Sequence, residues 1–223
     1  MKNKILAVVA HPDDEVIGCG GSLLKHQYNG DEINIMYMTD GESSRTSNSK
    51  VFHRHKNAID VCNFLNVKKK RFLNLPDNAL DTFPLLSIIK IIKKEIDNIK
   101  PNIIYTHFSG DLNIDHSIIS NAVMVACRPE PSNKVEKIYA FEVLSSTEWN
   151  FHKNQTFAPT YFNDISKFIK KKIKLLEIYK NEIRKVPHTR SIENIINLSQ
   201  IRGKTIGLKY CEAFKLVYTI NNL

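Results

Sequence analysis

Two short stretches carry residues able to do chemistry together. AHPDDEVIGCGGS at residues 10–22 sets His11, Asp13, Asp14 and Glu15 directly behind an apolar run, and GDLNIDH at 110–116 sets Asp111, Asn113, Asp115 and His116 behind another. Three consecutive carboxylates repel and raise one another's pKa unless a positive charge stands among them, so AHPDDE reads as built around a cation. Histidine nitrogens and carboxylate oxygens are the donors of a catalytic zinc, which takes three protein groups and keeps one position open. His11, Asp14 and His116 form such a set, and another divalent metal such as Fe2+ is served by the same donors. Adjacent side chains diverge, which leaves Asp13 as a base beside the open position. Glu15 is then structural, an acid at the positive end of a helix. Each cluster taken alone could be a helix cap, since Asp is a common N-cap residue; two at equivalent strand ends favour the metal.

The elements that must position these groups alternate. KILAVVA is a continuous apolar run of the kind buried on both faces of a parallel sheet. A helix over Val16–Tyr28 stops at Asn29-Gly30. EINIMYMT and RFLNL are further strands, separated by the helical VFHRHKNAIDVCNFLN, and PLLSIIKIIKKEIDNIK is a helix halted by Pro101. NIIYTHF and DHSIISNAVMVAC repeat the pair. Four such alternations predict one α/β domain over residues 1–223, a Rossmann-like, mostly parallel sheet with helices on both faces. The last third reads as a strand KIYAFEVL, a polar stretch from Ser145 to Thr160, a basic helix over Asp164–Ile183, a helix over Ile192–Gly203 and a closing strand EAFKLVYTI. In such sheets sites form at the carboxyl ends of strands, near the point where strand order reverses, and both clusters lie there.

Composition narrows the field. The formal charge of +9 raises nucleic acid as a partner, but much of it sits in KKKR at 68–71 and KFIKKKIK at 167–174, where the second has the spacing of a solvated face over a buried stripe. Neither nucleic acid nor a membrane span is expected. The apolar part of the N-terminus, Ile5–Ala10, is too short for a signal peptide. Cys19, Cys62, Cys127 and Cys211 form no CxxC pair and suit buried reduced thiols in a cytoplasmic protein. A dinucleotide fingerprint at Gly18, Gly20 and Gly21, with Asp40 for a ribose, fails because Leu23 replaces the third glycine and three acids precede the first. The glycines instead suit close packing of the first helix. A non-haem oxygenase site shares the donor types but needs a jelly-roll barrel rather than βα alternation, and a non-catalytic sugar- or nucleotide-binding module would not need Asp13 together with all three ligands.

AHPDDE followed by a later Asp-His pair resembles the PIG-L/LmbE-like family of zinc-dependent N-deacetylases, the GlcNAc-phosphatidylinositol de-N-acetylase superfamily. TDGE at 39–42, LPDNALDT at 75–82, GDLNIDH, FEVLSSTEW at 141–149 and PHTRS at 187–191 extend the resemblance over most of the chain, toward a bacterial branch linked to surface sugars. The resemblance implies His11, Asp14 and His116 as zinc ligands and Asp13 as general base. Many members carry His-Pro-Asp-His where this chain has Asn113-Ile114-Asp115-His116. Asn113 would hold the oxyanion through its amide, and cannot carry charge or protonate an amine. His188 is a second candidate acid, and Arg54, Asp77, Asp115 and Arg190 are candidate substrate-binding residues. The implied substrate is a small N-acetylated sugar, with phosphorylated and nucleotide-linked forms included, and the stretch from Ser145 to Thr160 is a candidate contact in a homo-oligomer.

Overall fold

In the computed structural model, which describes residues 2–44, 51–130, 135–151 and 155–220, the apolar run KILAVV becomes strand β1 (Lys4–Val9), an interior strand of a seven-stranded sheet. Its neighbours follow in the order β1, α1 (Asp14–Tyr28), β2 (Glu32–Thr39), α2 (Val51–Phe64), β3 (Lys69–Leu75), α3 (Leu85–Ile99), β4 (Ile103–His107), α4 (Ile114–Ala126) and β5 (Lys137–Phe141). The remainder is β6 (Tyr161–Asp164), α5 (Ile169–Ile178), α6 (Ile192–Lys204) and β7 (Cys211–Thr219). Strand order is β3-β2-β1-β4-β5-β7-β6, with β1 to β5 parallel and β7 antiparallel to both its neighbours.

Period-2 alternation along β1 divides the core. Ile5, Ala7 and Val9 face a layer supplied by α1, α2, α5 and α6, while Leu6, Val8 and Ala10 face one supplied by α3 and α4. Burial on both faces explains why the strand reads as continuously apolar. The chain runs outward from β1 to β3 and then returns to β4 on the other side of β1. Two connections therefore leave β1 and β4 in opposite directions, opening a crevice above their carboxyl ends.

The last third departs from the expected elements. Tyr161–Asp164, expected partly in the basic helix, pairs antiparallel with Cys211–Phe214 as the edge strand β6. Ser166 N–H then bonds back to Asp164 Oδ1 at 2.9 Å, a local turn that delays α5 to Ile169. Strand pairing across some fifty residues of sequence has overridden local helical spacing. The lysine-rich face is not wholly solvated either: Lys172 is buried, with Nζ 2.6 Å from Glu212 and 2.9 Å from the Ile17 carbonyl. Among the described residues the polar stretch holds a 3-10 turn, Thr147–Trp149. No helix among the described residues is long and apolar enough to cross a membrane, and all four cysteines are buried free thiols.

Close packing of α1 is visible at Gly18, where a Cβ would lie 2.2 Å from the ring of buried Phe141. Gly18→Ala should therefore cost about 2 kcal/mol of stability, within the range for overpacking a core. Urea unfolding checks this, and an unchanged midpoint would show that Phe141 can yield.

Candidate metal centre and cavity

The site begins with a backbone irregularity. Asp13 adopts φ 121°, ψ −27°, a conformation that residues with side chains rarely take, and turns the chain from β1 directly into α1. Glu15 holds this turn: its Oε2 accepts the Asp13 N–H at 3.0 Å, and its Oε1 accepts from Tyr179 at 2.7 Å and Tyr37 at 3.1 Å. Burial pushes the Glu15 carboxyl up to about 7 against the pull of those bonds. The turn sends the two adjacent aspartates in different directions.

Asp14 turns toward histidine. Its Oδ2 accepts the His11 N–H at 2.9 Å and stands 3.1 Å from His11 Nδ1, 3.4 Å from His116 Nε2 and 3.5 Å from His107 Nε2. Burial opposes its charge, but His116 and His11 hold the carboxyl well below the usual range. His11 Nδ1 and His116 Nε2 face each other at 3.1 Å. Those three atoms form a triangle with edges of 3.1, 3.1 and 3.4 Å; a tetrahedral ion with metal–ligand bonds of 2.0–2.1 Å spaces its ligands by about 3.3 Å. The donors fit a divalent cation such as zinc.

The far side of each ring is fixed by carboxylates. His11 Nε2 lies 3.0 Å from Asp77 and 3.2 Å from Asp115, and His116 Nδ1 lies 3.1 Å from Asp111. Were each of those outer nitrogens to carry the proton, His11 Nδ1 and His116 Nε2 would be the lone pairs that face the cation position. Burial alone would lower both histidines. Asp115 and Asp14 outweigh it at His11, and Asp14 and Asp111 raise His116 to about 8. His107, the last residue of β4, stacks on His116 at 4.0 Å with its Nε2 accepting the Ala10 N–H. Burial, followed by the charge of His116, keeps it neutral.

Asp13 turns the other way, toward arginine. Its Oδ2 lies 2.7 Å from Arg54 and 3.4 Å from Arg190, while its buried Oδ1 has no hydrogen-bond partner among the described residues. Burial raises its pKa, with Arg54 and then Arg190 pulling it back. Arg54 is in turn anchored on the Gly41 carbonyl and lies 3.5 Å from Glu182.

A cavity of about 300 Å³ opens over the triangle, and Arg54, Asp77, Asn113 and Arg190 contribute to its wall with the three donors. Asn113 caps α4, its Oδ1 accepting from Asp115 N–H at 2.9 Å and its amide donating to Asn78 at 2.8 Å. Asp77 also accepts the Ser44 hydroxyl, and its carboxyl sits at about 2, where His11 more than offsets the effect of burial. Asp115 is fully buried, with its oxygens on the amides of Asn78 (2.8 Å) and Leu80 (3.0 Å) as well as on His11. His188 is exposed, outside the cavity wall, and its Nδ1 accepts the Arg190 N–H at 3.0 Å. Asp111 is noted on sequence within GDLNIDH but given no role there, and nothing in the sequence marks the hydroxyls of Ser146 and Thr147 that reach it.

Residues 6–127 match the family described as PIG-L: GlcNAc-PI de-N-acetylase. The chain belongs to the PIG-L family. This PIG-L chain is 24% identical over 193 residues to the probable N-acetyl-alpha-D-glucosaminyl L-malate deacetylase 2 of Bacillus anthracis, covering 82% of this chain and 83% of that protein. Its fold matches N,N'-diacetylchitobiose deacetylase from Pyrococcus horikoshii with a TM-score of 0.78 at 23% identity, covering 97% and 84% of the two chains. GalB, the 4-carboxy-2-hydroxymuconate hydratase of Pseudomonas putida KT2440, shares the fold at a TM-score of 0.76 and 20% identity, with both chains fully covered. Fold alone therefore does not fix the reaction.

Only one proton fits in the 3.1 Å gap between His11 and His116, and the ordinary value of that pair is raised, to about 8 at His116. A metal entering this PIG-L site must displace that proton. Zinc affinity should rise with pH from 6 through about 8, the value His116 takes, with proton release accompanying binding. Calorimetry in buffers of different ionisation enthalpy reads this directly; a pH-independent affinity would place the ion elsewhere.

Proposed function

We propose that this chain is a zinc-dependent hydrolase that removes an N-acetyl group from an amino sugar or a sugar conjugate. The observation that carries the reading is the triangle of His11 Nδ1, Asp14 Oδ2 and His116 Nε2 beneath the cavity. Deacetylase names among the relatives supply the reaction class. A bound divalent ion supplies an acidified water and polarises the acyl carbonyl.

The chain's own residues do the rest. Asp13 accepts a proton from the attacking water on its unpartnered Oδ1 and later delivers it to the amine nitrogen as the C–N bond breaks, giving acetate and a free amine. Arg54 and Arg190 fix Oδ2, which orients the base and moderates the rise in pKa that burial imposes. Asn113 donates an amide N–H to the developing oxyanion. Asp77, at the cavity wall, and Arg190 meet the sugar, while buried Asp115 acts through His11. Two arginines at the wall and the net charge of +9 suit a substrate bearing phosphate or a nucleotide. Four buried thiols agree with a cytoplasmic setting.

Acetate release is the test, measured on N-acetyl sugars, their phosphates and their nucleotide conjugates before and after chelation and with zinc restored. Activity should vanish with chelator and return with zinc. Asp13→Asn should keep stoichiometric zinc and lose about 10²- to 10⁴-fold in kcat. Loss of zinc in that variant would reverse the roles of Asp13 and Asp14, and no acetate from any substrate by zinc-loaded protein would move the chain toward another reaction on this fold.

A further inference from the structure

His116 presents Nε2 to the cation position only while its ring is held from behind, and the group behind it is Asp111, 3.1 Å from Nδ1. Asp111 is fully buried. Its Oδ1 accepts the Ser146 hydroxyl, and its Oδ2 accepts the Thr147 hydroxyl at 2.5 Å. Both hydroxyls come from the 3-10 turn that follows β5, whereas Asp111 and His116 follow β4. The turn is itself pinned. Glu148 accepts the N–H groups of Ser145 at 2.6 Å and Ser146 at 3.3 Å, and Thr147 Oγ1 accepts the Val143 N–H at 2.8 Å. A threonine oxygen already engaged by Val143 on one lone pair directs its own hydrogen at Asp111.

We infer that Ser146 and Thr147 are positioning residues for the metal. By donating to Asp111 they hold its carboxylate against His116 Nδ1, keep the imidazole in the tautomer whose Nε2 faces His11 and Asp14, and so set how tightly the ion is held. Carboxylates behind metal-bound histidines work in this way, and here the chain adds a further layer of two hydroxyls from the turn after the neighbouring strand β5. The inference rests on the metal reading proposed above.

Zinc dissociation constants, measured on the purified full chain by competition with a chromophoric chelator, test it without reference to turnover. Thr147→Val keeps the side-chain shape and removes the donor; Thr147→Ser keeps the donor; Ser146→Ala removes the other. Thr147→Val and Ser146→Ala should each bind zinc about tenfold more weakly, and Thr147→Ser should stay within about a factor of two of the unchanged chain, tenfold being the low end for outer hydrogen bonds at metal sites. The midpoint of thermal unfolding without metal shows whether each variant is folded, and Ser146→Ala carries the test if Thr147→Val is not. Unchanged affinity in the variants lacking a hydroxyl, or equal loss in Thr147→Ser, overturns the inference. An unchanged chain that fails to bind zinc overturns the metal reading beneath it.

Discussion

Two imidazole nitrogens 3.1 Å apart, with a carboxylate oxygen completing the triangle, impose the condition that the surrounding structure meets. Lone pairs brought this close repel, and two protons cannot share the gap, so the arrangement takes one proton or one metal ion between them. Asp77 and Asp115 steady one ring and Asp111 steadies the other. The reversal of strand order at β1 makes the encounter possible, because it carries the segments after β1 and β4 to one crevice from opposite sides.

The same condition separates two neighbours in sequence. Asp13 and Asp14 differ by one residue and lie in contrasting fields: Asp14 among imidazoles, its charge secured, and Asp13 between arginines in a dry site, its basicity raised by burial. Paired carboxylates with divergent environments are how acid–base roles become distinct within one site. The unusual backbone at Asp13 makes the divergence possible, and buried Glu15 with its two tyrosines holds that backbone.

Much of this could be read from the sequence, for a physical reason. His11 and Asp14 follow β1 at once and His116 opens the helix after β4, and parallel sheets gather their polar groups beyond strand ends, so type and spacing pointed to them. Arg54 and Arg190 came only through family resemblance, since neither α2 nor the loop before α6 announces where its side chains will reach. Ser146 and Thr147 lie in a stretch without periodicity, and two hydroxyls carry no signal until Asp111 is seen beside them. β6 was lost because its pairing with β7 is a tertiary event that four residues cannot encode alone. Lys172 looked like its exposed neighbours until Glu212 was placed against it.

The donors on either side of the gap are 105 residues apart along the chain. An ion bridging them would close a loop that contains β2, β3, β4 and the helices between, and so would act as a cross-link as well as a reagent. An unfolded chain cannot present His11 and His116 together, and metal binding is thereby coupled to assembly of the parallel half of the sheet. A cation bound there would thus also record that the fold around it is complete.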